Sequence, residues 1–547
     1  MKKKGQKAFI AKIKDWIPER RVLWIIFSVI FALPVWLTAI CRIDLETTVN
    51  TWIARGFLFI LGQVSLYLFI VFVCLILFAW LNRIQPFHKN DALIEQPRVH
   101  GWEWPLYALI CAAVFIFNWM ALYPAVMTPD SLYEWGAAHS LISPINPNHS
   151  VLYILFIRLC SLIWDSPAAA SLLQMILMSA ALGYVIYALR KEGLGRIGAV
   201  AFLVFYALLP VNGLMSVTIW RDVPYSILLL LLMVYLLQGY RDNSRYKSVR
   251  YWVKTGVIML LFVLVRYNGL LVFVVLCPVM FFIIKPARVK VLIMFAGILI
   301  LNFVITGPMY QAIDVEGNAS KKSLLVVPVQ QIARTVARGG DISQEEKAQI
   351  DGFLPTEEMI DLYNESDSDM IFFAEHMSMD AIEQDYPKFI QLWFNLFKKN
   401  PVTFTSAYLE QTRDVWDPSF VAEKPIWRSY FIGINQEEKF NIYGLQAEPL
   451  IGQLDMSYDY YYYIQLTNNF GQYLWSVGLF CLLTIFLSFA SIIRYGKAAL
   501  LISAPVLLHI FFMLTGMPVP DLRYEYCTFL CLPLLGFLLL KRQKALE

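Results

Sequence analysis

Four short polar clusters interrupt an otherwise apolar chain, and each holds groups able to move a proton or grip an anion. The first contains Asp130, Glu134 and His139, followed by Asn146, Asn148 and His149. If Asp130 opens a helix, Glu134 lies one turn on and on the same face. The stretch from Ala125 to Ser150 has no Lys or Arg. Loops without basic residues tend to lie outside the cytoplasm, so a carboxylate here suits a general base at the outer water–lipid boundary. The plainer reading is that Asp130 or Ser131 caps the helix, because Pro-Asp-Ser is a favourable helix start.

The other three clusters each carry an arginine: Trp220-Arg221-Asp222-Val223-Pro224, Arg266-Tyr267-Asn268-Gly269 and Pro520-Asp521-Leu522-Arg523-Tyr524. Arginine binds phosphate through two parallel hydrogen bonds. Inside or beside an apolar span it is costly unless it faces water, a carboxylate or a bound anion. A base, a phosphate clamp and an apolar groove are the parts that transfer from a lipid-linked sugar phosphate requires. Interfacial anchoring is the simpler alternative for the Arg221 and Arg523 clusters, and a bend with its polar groups satisfied is that for Arg266. No P-loop, GxSxG or HExxH pattern occurs, which argues against ATPase, serine-hydrolase and zinc-protease chemistry. Nothing points to nucleic acid.

The elements that position these clusters are membrane helices. Of the 547 residues 58% are hydrophobic and 16% charged, too apolar a composition for a soluble chain. Apolar runs begin near Val22, Phe57, Pro105, Ala168, Ile197, Pro224, Thr255, Leu270, Val291, Gln472, Ala498 and Tyr524. Threaded from a cytoplasmic N-terminus rich in lysine (Lys2 to Lys14), they leave the basic groups Arg83/Lys89/Arg98, Arg190/Lys191/Arg196, Arg241 to Lys254, Lys285 to Lys290, Arg494/Lys497 and Lys541 to Lys544 inside. The positive-inside rule therefore predicts an all-α polytopic protein of about twelve spans with both ends cytoplasmic.

Five regions follow: a basic N-terminus (1–21), two spans and a cytoplasmic loop (22–103), a membrane core (104–307) with an outer loop (125–166), an extracytoplasmic domain (308–471) and three final spans with a tail (472–547). The run Val151–Trp164 is only about 21 Å long as a helix, against about 30 Å of hydrocarbon. It reads as a juxtamembrane or re-entrant helix with Arg158 snorkelling. The inserted domain shows helical patterns at 343–353, 370–384 and 387–399. Tyr460 to Tyr463 read as an interfacial belt. Asn318 and Asn364 head sequons of little weight, and the eight cysteines have neither zinc-site nor disulfide spacing.

With Asp130 in a first outer loop, a short apolar helix after His149, the Arg-x-x-Pro turn Arg221–Pro224 and Arg523-Tyr524, the layout resembles the GT-C class of integral-membrane glycosyltransferases. That class includes protein O-mannosyltransferases and the lipid A aminoarabinose transferase. The chain more closely resembles a family of uncharacterised bacterial multispanning proteins. That similarity rests on Pro129-Asp-Ser131, Arg266-Tyr-Asn-Gly269, Val327-Pro-Val-Gln-Gln-Ile-Ala-Arg334, Tyr408-Leu-Glu-Gln-Thr412 and Trp416-Asp-Pro418. It covers roughly Val114 to Leu535. The chain departs from its relatives at His149-Ser150, where they carry His-Pro, and the resemblance does not account for the first two spans.

The resemblance implies inverting transfer from a polyprenyl-phosphate sugar to an extracytoplasmic glycan or protein at a bacterial plasma membrane. Asp130 would be the base, or with Glu134 would hold a divalent cation such as Mg or Mn. Arg221, Arg266 or Arg523 would hold the donor phosphate. His149, Asp222, Tyr267, Asn268 and Tyr524 would line the substrate site. Gln330, Gln331 and Arg334 would cover it, with Trp416 and its neighbours Asp414 and Asp417 contacting sugar. Three other functions fit many of the same residues: a glycan polymerase or ligase, a flippase for lipid-linked glycans, and a non-catalytic wall-binding scaffold. Flippases often show repeated halves, and none is visible here. A scaffold predicts that Asp130 and the arginines are dispensable.

Overall fold

A computed structural model describes residues 18–40, 49, 56–83, 98–146, 148–315, 322–420, 433–452 and 471–540. Lys2 to Lys14, Lys89, Asn318, Tyr460 to Tyr463 and Lys541 to Lys544 lie outside them. The regular elements among the described residues are all helices, joined by turns and loops, with three isolated parallel bridges and no strand. Helices α1 (Arg21–Ile40) and α2 (Phe57–Arg83) form a hairpin at the edge, where Phe27 stacks on Phe489 at 4.1 Å. Helices α3 (Glu103–Ala121), α4 (Pro129–Ala138), α5 (Val151–Ser161), α6 (Pro167–Lys191), α7 (Arg196–Leu208) and α8 (Pro210–Val217) follow. Then come α9 (Asp222–Arg241), α10 (Val249–Val265), α11 (Tyr267–Ile283) and α12 (Arg288–Val304).

Among the described residues nine helices are long and apolar enough to cross a membrane, or ten if the pair α7 and α8, bent by 56° at Pro210, counts as one span. The chain is thus a multi-pass membrane protein by length and composition. The expectation of about twelve rested on two further runs, which fold as α10 and α11. These helices of 17 residues rise only about 26 Å each, and they meet at an extended Arg266 (φ −149°, ψ 133°). Gly269 N–H donates to the Arg266 carbonyl at 2.8 Å. A Cβ at Gly269 would sit 2.4 Å from the Phe262 carbonyl oxygen, so the tight turn needs glycine there.

The short helix α5 starts at Ser150, whose hydroxyl accepts from Tyr153 N–H at 3.3 Å. It packs on α4, α6 and α10 instead of spanning, and its Arg158 is exposed. Ion pairs lock the far end of the core: Arg190 meets Glu103 at 3.1 Å, and Arg241 meets Glu192.

Residues 322–420 form eight helices: α13 (Lys322–Ala337), α14 (Gln344–Asp351), α15 (Thr356–Leu362), α16 (Asp369–Phe372), α17 (Met379–Gln384), α18 (Tyr386–Lys399), α19 (Pro401–Gln411) and α20 (Arg413–Trp416). The pattern over 370–384 breaks into two short helices, α16 and α17. Leu325, Val329, Ile332, Leu354, Leu396 and Phe404 close a core of their own. This unit docks through Gln411 Nε2 to the Met517 carbonyl (2.9 Å) and Ser368 N–H to the Pro518 carbonyl (3.0 Å). The last helices are α21 (Val477–Tyr495), α22 (Lys497–Gly516) and α23 (Tyr526–Leu540). Helix α9 is central and packs on α6, α10, α22 and α23.

Close backbone approach sets one stability prediction. A Cβ at Gly183 of α6 would lie 2.5 Å from the Ala108 backbone nitrogen of α3. Gly183→Ala should therefore lower stability by about 1–3 kcal/mol, seen as a lower thermal midpoint in detergent. Gly62→Ala, which meets open space, should not; equal midpoints for both variants would refute the packing account.

Candidate functional site

Residues 125–128 run beside 217–220. Val126 pairs with Thr218 in a parallel bridge, Val126 N–H donates to the Val217 carbonyl at 3.2 Å and Ile219 N–H to the Val126 carbonyl at 3.0 Å. This pairing carries the start of α4 to the start of α9. Thr128 is the N-cap of α4; its N–H donates to Ser131 Oγ at 3.1 Å, and Trp220 Nε1 donates to Thr128 Oγ1 at 2.7 Å. Thr128 and Ser131 thus do the capping. Asp130 does not, and its carboxylate accepts from Arg523 Nη1 at 2.6 Å.

Arg523 lies in a single 3-10 turn, Leu522–Glu525, that leads into α23. Its Nε is 3.0 Å from Asp521 Oδ2, its Nη2 donates to Tyr524 Oη at 3.1 Å, and the guanidinium lies over the rings of Trp220 and Tyr524. Arg221, at the N-cap of α9, donates to Glu134 Oε1 at 3.2 Å and lies 3.3 Å from His149 Nδ1. His149 stacks on Tyr133 with ring centroids 4.0 Å apart. Arg266 pairs with Asp222 and lies over Tyr225 and Tyr524.

Four carboxylates (Asp130, Glu134, Asp222, Asp521) therefore face three guanidinium groups, with His149 beside them. The starts of α4, α9, α11 and α23 meet here, and helix N-termini themselves favour anions. Burial alone would raise the Asp130 carboxyl, but the charges of Arg523, Arg221 and His149 hold it well below the usual carboxylate range. Its side chain keeps 34% exposure, a water-facing edge. Asp521 goes the other way: burial pushes its carboxyl up to about 6 despite Arg523. Burial, with Asp521 and Glu525 as neighbours, also raises the Asp414 carboxyl.

Asp521 yields a pH prediction. A carboxyl raised in the folded state stabilises the fold at low pH, and that contribution is lost as pH climbs from the unfolded value near 3.8 through about 6. The rise corresponds to about 3 kcal/mol. Asp521→Asn should gain thermal stability relative to wild type as pH rises from about 4 to about 6.5. A difference that stays constant across that range would overturn it.

The structure thus brings together Asp130, Glu134, His149, Arg221, Asp222, Arg266, Arg523 and Tyr524. It does not bring in the others. Tyr267 is half exposed, and Asn268 donates to Met513 Sδ. Gln330 and Gln331 hydrogen-bond to backbone within residues 322–420, and Arg334 reaches Tyr363 Oη at 3.2 Å. Trp416 is buried, with Nε1 3.3 Å from Thr412 Oγ1. Asp521, part of the fourth cluster but given no role there, joins the network, and so does Tyr225, which lay outside the clusters. Asp521 lies two residues before Arg523, and Tyr225 follows Pro224, so proximity in sequence was the available signal.

A divalent cation on Asp130 and Glu134 fits poorly as these residues stand, because a guanidinium already occupies each carboxylate. Among the described residues a different trio, His509, Glu525 and Cys527, gathers its ligand atoms within 4.8 Å.

Residues 57–546 match the model of a family described as "Family of unknown function (DUF6020)". The chain belongs to that family. No curated protein and no solved structure matches it.

Proposed function

We propose that this member of the family is a GT-C-like membrane glycosyltransferase. It would transfer a sugar from a polyprenyl-phosphate donor to an acceptor hydroxyl on a glycan or protein, at the outer face of a bacterial cell membrane. The observation that supports this most is the sharing of Arg523 between Asp130 and Asp521 at the mouth of four helices. The arginines are matched by carboxylates, and Asp130, held ionised by Arg523, is a feeble base.

A donor phosphate entering this network competes with Asp130 for Arg523. As the guanidinium turns to the phosphate, the Asp130 carboxylate loses its partner and its proton affinity rises toward the ordinary range. Asp130 then takes the acceptor hydroxyl proton. The acceptor oxygen bonds to the anomeric carbon from the face opposite the phosphate. The bond from that carbon to the phosphate oxygen breaks, and its electron pair leaves with the polyprenyl phosphate, where Arg523, Arg221 and Arg266 stabilise the charge. Inversion follows from this single displacement. Glu134 orients Arg221 and His149.

The test reconstitutes the purified protein in liposomes with radiolabelled polyprenyl-phosphate sugars and cell-wall extract. Label should pass from lipid to a water-soluble acceptor. Label that crosses the bilayer without transfer would identify a flippase and sink the reading.

A further inference from the structure

Behind the ionic network, three elements meet at a side chain that the transfer scheme leaves idle. His509 interrupts the apolar run Leu507-Leu508-His509-Ile510 of α22. It is fully buried, a costly place for an imidazole unless its ring nitrogens find partners. Both do. Nε2 lies 2.8 Å from the Tyr524 carbonyl oxygen, and Nδ1 lies 2.9 Å from Tyr225 Oη. A carbonyl only accepts, so the ring hydrogen sits on Nε2 and is donated to Tyr524. Nδ1 of the neutral ring is then an acceptor, and the Tyr225 hydroxyl donates to it. A nitrogen that donates has no lone pair for a metal, so the nearness of His509 to Glu525 and Cys527 does not make a cation site.

The two partners of His509 are the two residues whose rings carry Arg266. Its guanidinium lies 5.7 Å from the ring centroid of Tyr225 and 4.8 Å from that of Tyr524. Arg523 also lies 4.8 Å from the Tyr524 centroid, and its Nη2 donates to Tyr524 Oη. Tyr524 thus serves two of the arginines at once. A guanidinium stacks on an aromatic face as well as pairing with a carboxylate, so where these rings stand sets where the cations stand. Tyr225 comes from α9, Tyr524 from the turn that leads into α23, and His509 from α22. One imidazole, bonded to the hydroxyl of the first tyrosine and the backbone of the second, fixes the spacing between them. We infer that His509 is a positioning residue, which holds Tyr225 and Tyr524 at the spacing that seats Arg266 and Arg523 for a phosphate. This role rests on the transfer reading above, in which those arginines grip the donor phosphate; His509 itself touches no substrate.

The test measures farnesyl phosphate binding by the full chain in detergent, together with its thermal midpoint and its sugar transfer in liposomes. His509→Leu keeps an apolar side chain but makes neither bond. It should weaken binding by about 10- to 10²-fold, the scale of loss when binding groups are slightly misplaced. His509→Gln, whose amide nitrogen still reaches as a donor toward the Tyr524 carbonyl, should recover part of that affinity. Tyr225→Phe removes only the hydroxyl, keeps the ring beneath Arg266 and guards against misfolding of the other variants. It should weaken binding too, and combined with His509→Leu it should add little further loss. Wild-type affinity in either His509→Leu or Tyr225→Phe overturns the role, as do fully additive losses in the double variant. A lowered thermal midpoint with unchanged affinity would make His509 a packing residue, and a wild type that binds no farnesyl phosphate would also overturn the role. Binding without sugar transfer by the wild type would sink the transferase reading alone and leave the positioning role standing.

Discussion

Replacing Asp130 with Asn is expected to cut sugar transfer by about 10²–10⁴-fold, the range for loss of a general base. The fold should survive. Thr128 and Ser131 cap α4, so the substitution removes no cap, and Arg523 retains Asp521 and Tyr524 as partners. A matched thermal midpoint with near-complete loss of label transfer would separate chemistry from stability. Equal transfer by the variant and the wild type would remove Asp130 from the chemistry altogether. The pH profile adds a second readout. Asp130 is held ionised far below neutrality by Arg523, so it contributes no acid limb between pH 5 and about 8 in the free protein. A limb near pH 6 belongs to Asp521 and should vanish in Asp521→Asn.

The second large effect concerns Arg266 and Asp222, a pair with side-chain exposures of 10% and 4%. Removing one partner strands a charge, and such losses run to about 3–5 kcal/mol. Arg266→Ala should therefore unfold at a clearly lower temperature in detergent than the wild type. Arg266→Met combined with Asp222→Leu should recover much of that loss, because an apolar pair replaces a desolvated ionic one. Transfer should stay low in the double variant if Arg266 also holds the donor phosphate. A double variant whose loss equals the sum of the losses of the two single variants would show that the two side chains are not coupled.

The membrane helices were legible because hydropathy and the segregation of basic residues are strong, local signals. The limits lay where length decides. Val249–Val265 and Tyr267–Ile283 read as runs of spanning quality, yet the extended Arg266 between them leaves each helix short. Asp130 and Arg221 were legible as polar groups at helix ends. That they share one network was not, since it depends on the backbone pairing of 126 with 218, which leaves no mark in composition. Gln330, Gln331 and Arg334 belong to a string that carried the family resemblance, and they serve the packing of residues 322–420. A distinctive motif on one helix cannot by itself distinguish a domain core from a ligand contact. His509 was the converse case: a lone ionisable residue inside an apolar run whose companions, Tyr225 and Glu525, come from other elements.

The bond between Asp130 and Arg523 joins residues 393 positions apart. During synthesis Asp130 reaches the membrane long before Arg523 is made, and the guanidinium that will quiet its charge arrives only with the turn that leads into α23. Completion of the site thereby waits on that turn. A nascent or truncated protein that stops before α23 carries Asp130, Glu134 and Arg221 without their last partner.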